Sequence, residues 1–250
     1  MAEKYRLDGK VALITGCASG VGEAAAKMFT EQGARVFAVD VNGPGLKEAM
    51  ADVPGVGILE QDVTADEAAQ TIVDAAVDNF GQIDILLNNA GRVVYAEIAD
   101  LTDEIWDMHF DLNVKAAMRL CRAAVPELQK RETGRIVNIG SAVTLRSSPG
   151  LASYTASKHA LEGLTRVLSQ ELIPQITVNC IHPSTILSGM TKPIMEADPS
   201  LKEFYENFSP MGRMAMPEDI AHAALFLCLP ESNYINGIGL NVDGGYGAYG

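Results

Sequence analysis

Tyr154 and Lys158 stand four residues apart in the run Tyr154-Thr155-Ala156-Ser157-Lys158, and Ser141 precedes the tyrosine by thirteen positions. On a helix, four residues make about one turn, so the phenol and the ammonium share a face. A free phenol titrates near pH ~10 and is a poor base at neutral pH. A neighbouring cation favours the phenolate and lowers that value. A hydroxyl arriving from elsewhere can hold a substrate oxygen beside the phenol. Together these groups could move a proton on or off an alcohol. The pair alone is a weak signal, because tyrosines beside solvated lysines are common on protein surfaces. Its weight comes from a second site near the N-terminus.

That second site is a dinucleotide cradle. Lys10-Val11-Ala12-Leu13-Ile14-Thr15 reads as a short buried strand and runs into Gly16-Cys17-Ala18-Ser19-Gly20-Val21-Gly22. A helical pattern follows over 23–32, with Ala25, Met28 and Phe29 inward. Strand, glycine loop and helix in that order form the first half of a βαβ unit. The glycines let the backbone turn tightly and approach a pyrophosphate, and the helix N-terminus presents free N–H groups to it. The next strand, 35–39, ends in Asp40, where an acid would accept hydrogen bonds from an adenosine ribose. A carboxylate there repels the 2′-phosphate of NADP, and neither Ser19 nor Val41 offers a compensating cation. NAD is therefore the expected cofactor. The plainer reading is that Asp40 only caps the turn at Val41-Asn42-Gly43.

The elements that must position these groups alternate along the chain. Helices are expected over 46–51, 66–79, 106–127, 153–171 and 216–227, and strands over 56–60, 83–87, 135–139, 176–181 and 238–242. Pro126 falls near the end of its helix, and Pro217 takes a first-turn position. Alternating βα units imply a parallel sheet covered by helices on both faces. The expected fold class is α/β: a Rossmann-like doubly wound parallel sheet in a single domain over residues 1–250, with a substrate lid at about 187–216.

Composition narrows the function. A chain of 250 residues with 48% apolar content can fill a substantial core. Nineteen Lys+Arg against 32 Asp+Glu give a net charge of −13. That acidity argues against nucleic acid as partner, since phosphate contacts supply most non-specific affinity there. No apolar stretch reaches the ~18 residues of a membrane helix, and no signal-type run follows the N-terminus. Cys17, Cys121, Cys180 and Cys228 have no metal-type spacing and read as free buried thiols of a reducing, cytoplasmic compartment. The four histidines do not cluster, so no metal site is expected.

With these residues in hand, the chain resembles the short-chain dehydrogenase/reductases over nearly its whole length. Thr15-Gly16-x-x-x-Gly20-x-Gly22 matches the cofactor loop of that family, and Asp62-Val63 its adenine-contacting pair. Asn88-Asn89-Ala90-Gly91 matches the motif after the fourth strand, Asn113 the helix-kink asparagine, and Val242-Asp243-Gly244-Gly245 the C-terminal pattern. Ser141, Tyr154 and Lys158 match the catalytic serine, tyrosine and lysine.

The resemblance implies a role for each. Tyr154 donates or accepts the proton. Lys158 lowers its pKa and bonds the nicotinamide ribose. Ser141 polarises the carbonyl or steadies the alkoxide, and Asn113 holds a water in a relay through Lys158. Hydride passes between the nicotinamide and the substrate carbon. One departure is plain: where the family commonly has Pro-Gly after the sixth strand, this chain has Pro183-Ser184. By position, Ile186 backbone groups would hold the carboxamide and Ser188 would replace the usual threonine.

Substrate identity is less legible. Val93 and Val94, then Val143, Thr144 and Leu145, with Pro149 and Leu151, are the expected pocket walls. The stretch 187–216 adds Met190, Met195, Met211, Met214 and Met216 with Phe204, Tyr205 and Phe208, which suit either an adaptable apolar lid or ordinary core. Cations near it are isolated, at Arg92, Arg146 and Lys192. These features favour a mostly apolar secondary alcohol or ketone, cyclic or aromatic. A 3-oxoacyl-carrier-protein reductase is the alternative enzyme, and a non-catalytic NAD(H)-sensing or scaffold protein the alternative outside catalysis. Apolar residues beyond one face of helices 106–127 and 153–171 support a homo-oligomer. In the family such helices pack against a second subunit, usually within a tetramer, with the C-terminal 246–250 near the interface.

Overall fold

Alternating apolar residues along each strand decide which helices that strand meets. In the computed structural model, residues 6–188 and 199–248 are described. Met190, Lys192 and Met195 of the expected lid, and the last two residues of the C-terminus, lie outside them. The strands are β1 (Val11–Thr15), β2 (Arg35–Asp40), β3 (Gly57–Glu60), β4 (Ile85–Asn88), β5 (Gly134–Ile139), β6 (Ile176–Pro183) and β7 (Gly239–Val242). They form one sheet in the order β3-β2-β1-β4-β5-β6-β7, and every pair is parallel. The helices are α1 (Gly20–Glu31), α2 (Gly43–Ala49), α3 (Ala68–Phe80), α4 (Asp103–Phe110), α5 (Ala116–Leu128), α6 (Ala152–Glu171), α7 (Pro199–Phe208) and α8 (Pro217–Cys228).

The strand alternation splits the core in two. Ala12, Ile14, Val36, Ala38, Ile85 and Leu87 face one way and meet Ala25 and Phe29 of α1 with Ile220 and Ala224 of α8. Leu13, Phe37, Val39 and Leu86 face the other way and meet Ile72 and Ala76 of α3 with Leu120 and Ala124 of α5. Phe29, Leu13 and Ile14 have no exposed surface, and each such burial stabilises by roughly 1.5–3 kcal/mol. The sheet is the doubly wound parallel one expected.

Three details differ from the sequence reading. The helix expected over 106–127 is α4 and α5 joined by a π-helical turn, Asp111–Lys115. Such a turn adds a residue without changing the apolar content, so periodicity does not reveal it. Strand β6 runs on to Pro183 and pairs there with Val242 of β7. An additional helix, α7, lies inside the stretch read only as a lid. The ends of that stretch are joined: Ala215 donates its N–H to the Thr185 carbonyl at 3.0 Å, and Leu187 donates to the Ala215 carbonyl at 2.8 Å. The strand order reverses between β1 and β4, and a crevice opens there at the carboxyl ends of the strands.

Candidate active site

The crevice has a volume of about 960 Å³. Its near wall is the turn from β1 into α1. Gly16 has a φ of +74°, in the left-handed region that favours glycine. A Cβ at Gly22 would lie 2.1 Å from the Gly16 carbonyl oxygen, so only glycine lets α1 start this close to the loop. Ser19 is the N-cap of α1, yet its side chain makes no capping bond. The first-turn N–H groups are therefore left to bind an anion in the crevice. Gly16, Ser19, Gly20 and Val21 all line it, and Ser188 faces Gly20 from the opposite side.

Asp40 lines the same crevice at the end of β2. Its carboxylate accepts from Ala18 N–H and from Asn42 N–H, each at 2.9 Å. It caps its own turn, as the plainer sequence reading has it, and it also lines the crevice. Asp62 accepts from the Thr64 N–H at 2.8 Å and the Thr64 hydroxyl at 2.7 Å; it and Val63 line the crevice next to it. Asn89 ties the β4 loop to the glycine loop, donating to the Thr15 and Gly16 carbonyls at 2.8 and 3.1 Å. The Thr15 hydroxyl accepts from the N–H groups of Asn89 and Ala90 in return. Ala90, Gly91, Pro183 and Ile186 complete the residues expected along this wall. An uncapped helix start, a glycine cradle and an oriented carboxylate fit the pyrophosphate and ribose of a nicotinamide dinucleotide.

Tyr154 and Lys158 project from the first turns of α6 into the far end of the crevice. Lys158 is buried and donates to the Ile139 carbonyl at 2.8 Å, with its ammonium 5.7 Å from the Tyr154 ring centroid. Burial pulls its pKa down to about 8. Burial also pushes the Tyr154 phenol above its ordinary value, while a hydrogen bond with Ser141 pulls it back. Desolvation is the larger of these two causes.

Ser141 follows β5 by two residues and caps a short 3₁₀ turn, its hydroxyl accepting from Val143 N–H at 3.3 Å. Asn113 projects from the π-helical turn. Its carbonyl accepts from Arg92 N–H at 3.1 Å, and its amide donates to the Arg92 carbonyl at 3.2 Å and the Ser157 hydroxyl at 3.1 Å. A Cβ at Gly91 would meet Asn113 Oδ1 at 3.1 Å and Lys158 Nζ at 3.5 Å, so these polar atoms converge on one spot.

The residues expected to wall the substrate are placed differently, and among the described ones only Val93 lines the crevice. Val94 is anchored through its backbone to His109. Leu145 is half exposed and packs against the C-terminal segment at Gly247. Val143 is partly buried beside Ser141, and Leu151 is buried and bridged to Ala96 through the backbone. Of the methionines, Met214 belongs to the core, whereas Met211 and Met216 are exposed. Tyr95 reaches α7, its hydroxyl 3.5 Å from that of Tyr205. The side chains of Phe204 and Phe208 lie outside the described residues.

Two histidines escaped the sequence reading. His182 lies 3.0 Å from the Ser141 carbonyl and from the Thr144 hydroxyl, holding the serine turn. His109 is fully buried behind Tyr154. Each is a lone apolar-flanked histidine in sequence, and only the fold brings it to the site. The four cysteines are buried, and burial pushes Cys121, Cys180 and Cys228 up to about 12, so none is a thiolate nucleophile.

A family model described as enoyl-(acyl carrier protein) reductase matches residues 16–247. The 3-oxoacyl-(acyl-carrier-protein) reductase of Thermotoga maritima is 35% identical over 245 residues, covering 96% of this chain and 98% of that one. The chain belongs to the short-chain dehydrogenase/reductases. The cyclopentanol dehydrogenase of Comamonas sp. is 34% identical over 248 residues, covering 97% of this chain and 99% of its own. A solved 3-ketoacyl-(acyl-carrier-protein) reductase of Brucella melitensis, complexed with NADH, superposes with a TM-score of 0.89 at 31% identity, over 96% of this chain and 99% of that chain. As a member of this family, the protein is an oxidoreductase using a nicotinamide cofactor. Among the described residues, no helix is long and apolar enough to cross a membrane.

Proposed function

We propose that this short-chain dehydrogenase/reductase interconverts a mostly apolar secondary alcohol and its ketone, using NAD(H). The observation that carries the reading is a single crevice lined by Asp40 and the glycine loop at one end and by Tyr154 and Lys158 at the other. Bound NAD(H) supplies the hydride acceptor or donor. In reduction, the Tyr154 phenol gives its proton to the developing alkoxide, and the Ser141 hydroxyl holds the same oxygen. Lys158 carries its charge below about pH 8 and steadies the phenolate left behind. Asn113 Oδ1 and Lys158 Nζ, which converge beneath Gly91, hold the water that returns the proton. Asp40 takes the adenosine ribose and excludes a 2′-phosphate. Asp62 and Val63 border the adenine, while Ile186 and Ser188 border the carboxamide.

Residues 187–216 act as the substrate lid, and Val94, Val143, Leu145 and Leu151 support the pocket. Exposed Trp106 and Val167 support the pairing of these helices with further copies in a homotetramer. The four buried free thiols suit a cytoplasmic setting.

A second reading, reduction of a 3-oxoacyl thioester on an acyl carrier protein, is favoured by the names of the Thermotoga and Brucella relatives. The same tyrosine chemistry serves it. Against it stands a net charge of −13, which would repel an acidic carrier. A panel pairing each cofactor with cyclic and aromatic alcohol–ketone pairs and with a 3-oxoacyl thioester separates the two. NAD(H)-linked turnover of an alcohol–ketone pair is expected. NADPH-linked turnover of the thioester alone would establish the second reading. NADH binding without turnover of either would favour the non-catalytic sensor.

A further inference from the structure

His109 occupies the last turn of α4, immediately before the π-helical turn that carries Asn113. Its ring has no exposed surface. Nε2 lies 3.0 Å from the Val94 nitrogen and accepts its N–H. An imidazole nitrogen that accepts a hydrogen bond carries no proton, so the proton sits on Nδ1. Nδ1 lies 2.8 Å from the Ser153 hydroxyl oxygen and donates to it. Ser153 directly precedes Tyr154 on α6, and the imidazole packs edge-on against the Tyr154 ring, centroids 5.8 Å apart. One neutral imidazole therefore joins the loop bordering the substrate to the turn that carries the phenol.

We propose that His109 is a positioning residue for the proton transfer, fixing Tyr154 relative to the substrate-bordering loop through its neutral, two-ended hydrogen bonding. This rests on the alcohol–ketone chemistry proposed above. A leucine or phenylalanine would fill the same space but leave the Val94 N–H without an acceptor. Protonation would have the same local effect, turning Nε2 from acceptor to donor against a backbone N–H. Burial lowers the His109 pKa below 6.5; the Ile105 carbonyl opposes this, and the charges of Lys158 and Arg92 add to it. Lys158 and Tyr154 on α6 and Arg92 on the loop after β4 are the titratable groups facing it among the described residues. The linkage is therefore intact at neutral pH and breaks only in acid.

The test compares His109→Phe, which keeps the packing and deletes both bonds, with His109→Gln, whose amide retains an acceptor and a donor. Ketone reduction by NADH is followed across pH, and NADH binding is measured by fluorescence. For His109→Phe, kcat is expected to fall about 10–100-fold with NADH affinity unchanged. His109→Gln is expected to recover most of that loss, and the acid limb expected of the wild type below pH 6.5 should disappear in both variants. A wild-type kcat in His109→Phe, or equal losses of kcat and NADH affinity in both variants, overturns the proposal. Imidazole ¹⁵N shifts of the wild type provide a readout that needs no turnover. A neutral Nδ1–H tautomer titrating below pH 6.5 is expected, and a cation at neutral pH overturns the linkage. Absence of turnover in the wild type would count against the proposed reaction, while the ¹⁵N shifts still decide the state of His109.

Discussion

The two ends of the crevice are built from different materials. The cofactor end is mostly backbone: a left-handed glycine, an uncapped helix start, and carboxylates held by main-chain N–H groups. The substrate end is mostly side chains on loops: Val93, the half-exposed Leu145, and the Tyr95–Tyr205 contact across to α7. Backbone construction fixes a ligand common to a family. Side-chain construction on loops lets the ligand change while the sheet does not. Substitutions at the cofactor end should therefore act on dinucleotide affinity, and those at the substrate end on the ketone alone.

The largest effect is expected where the two ends meet. Tyr154→Phe removes the proton donor and should lower turnover about 10³-fold, within the ~10²–10⁴ range of acid–base catalysis, while NADH fluorescence titration stays near wild type. A mutant retaining most activity would remove Tyr154 from the mechanism.

Lys158→Met should abolish turnover too, yet it should stabilise the fold. Burial has moved the lysine from 10.5 to about 8, and each pK unit is worth about 1.36 kcal/mol, so keeping it charged at neutral pH costs roughly 3 kcal/mol. Between pH 8 and 10.5 the unfolded chain binds more protons at this site than the folded chain, so wild-type stability gains a component that rises with pH. That component should vanish from the Tm–pH difference curve of Lys158→Met, whose Tm at pH 7 should be a few degrees higher. A lower Tm at pH 7 would show that the bond to Ile139 outweighs the desolvation.

Gly22→Ala tests the backbone end alone. Its Cβ would meet the Gly16 carbonyl, a main-chain atom that cannot move cheaply. NADH affinity should weaken by about tenfold or more, equivalent to ~1.4 kcal/mol of lost binding. Asp40→Ser should narrow the preference for NAD over NADP by a similar factor, read from the ratio of kcat/KM values, and an unchanged ratio would remove Asp40 from cofactor choice. The smallest shift is expected for Leu145→Ala: a change of about 2–10-fold in the KM for ketone, with the Kd for NADH unaltered.

Legibility in the sequence followed the same division. The sheet, its order of elements and the glycine loop could be read because buried parallel strands are continuous apolar runs and tight turns demand glycine. Tyr154 and Lys158 line the crevice together from α6, as a four-residue spacing on one helix face suggested, whereas Ser141 is brought to the tyrosine by the fold. The π-helical turn was hidden, because inserting one residue leaves an apolar pattern nearly unchanged while it rotates Asn113 onto Arg92 and Ser157. His109 and His182 were hidden because their partners are distant in sequence: Val94 and Ser153 for one, Ser141 for the other. Helix α7 was read as lid because its apolar residues suit a pocket as well as a helix face. Around Tyr154, a sequence displays the lysine four residues away but not the burial that raises the phenol.

The paired hydrogen bonds at Ala215, one donated to the Thr185 carbonyl and one accepted from the Leu187 N–H, have an engineering consequence. They bring the two ends of a long excursion to one anchored point at the rim of the sheet. A length change or wholesale exchange between those anchors need not displace β6 or α8, because the strain of a new insert ends at the clasp. The excursion is then a replaceable cassette. Transplanting the stretch that follows Ser188 from a relative of different specificity, with Ser188 itself kept, should change which ketone is accepted and leave the dinucleotide half of the protein as it is.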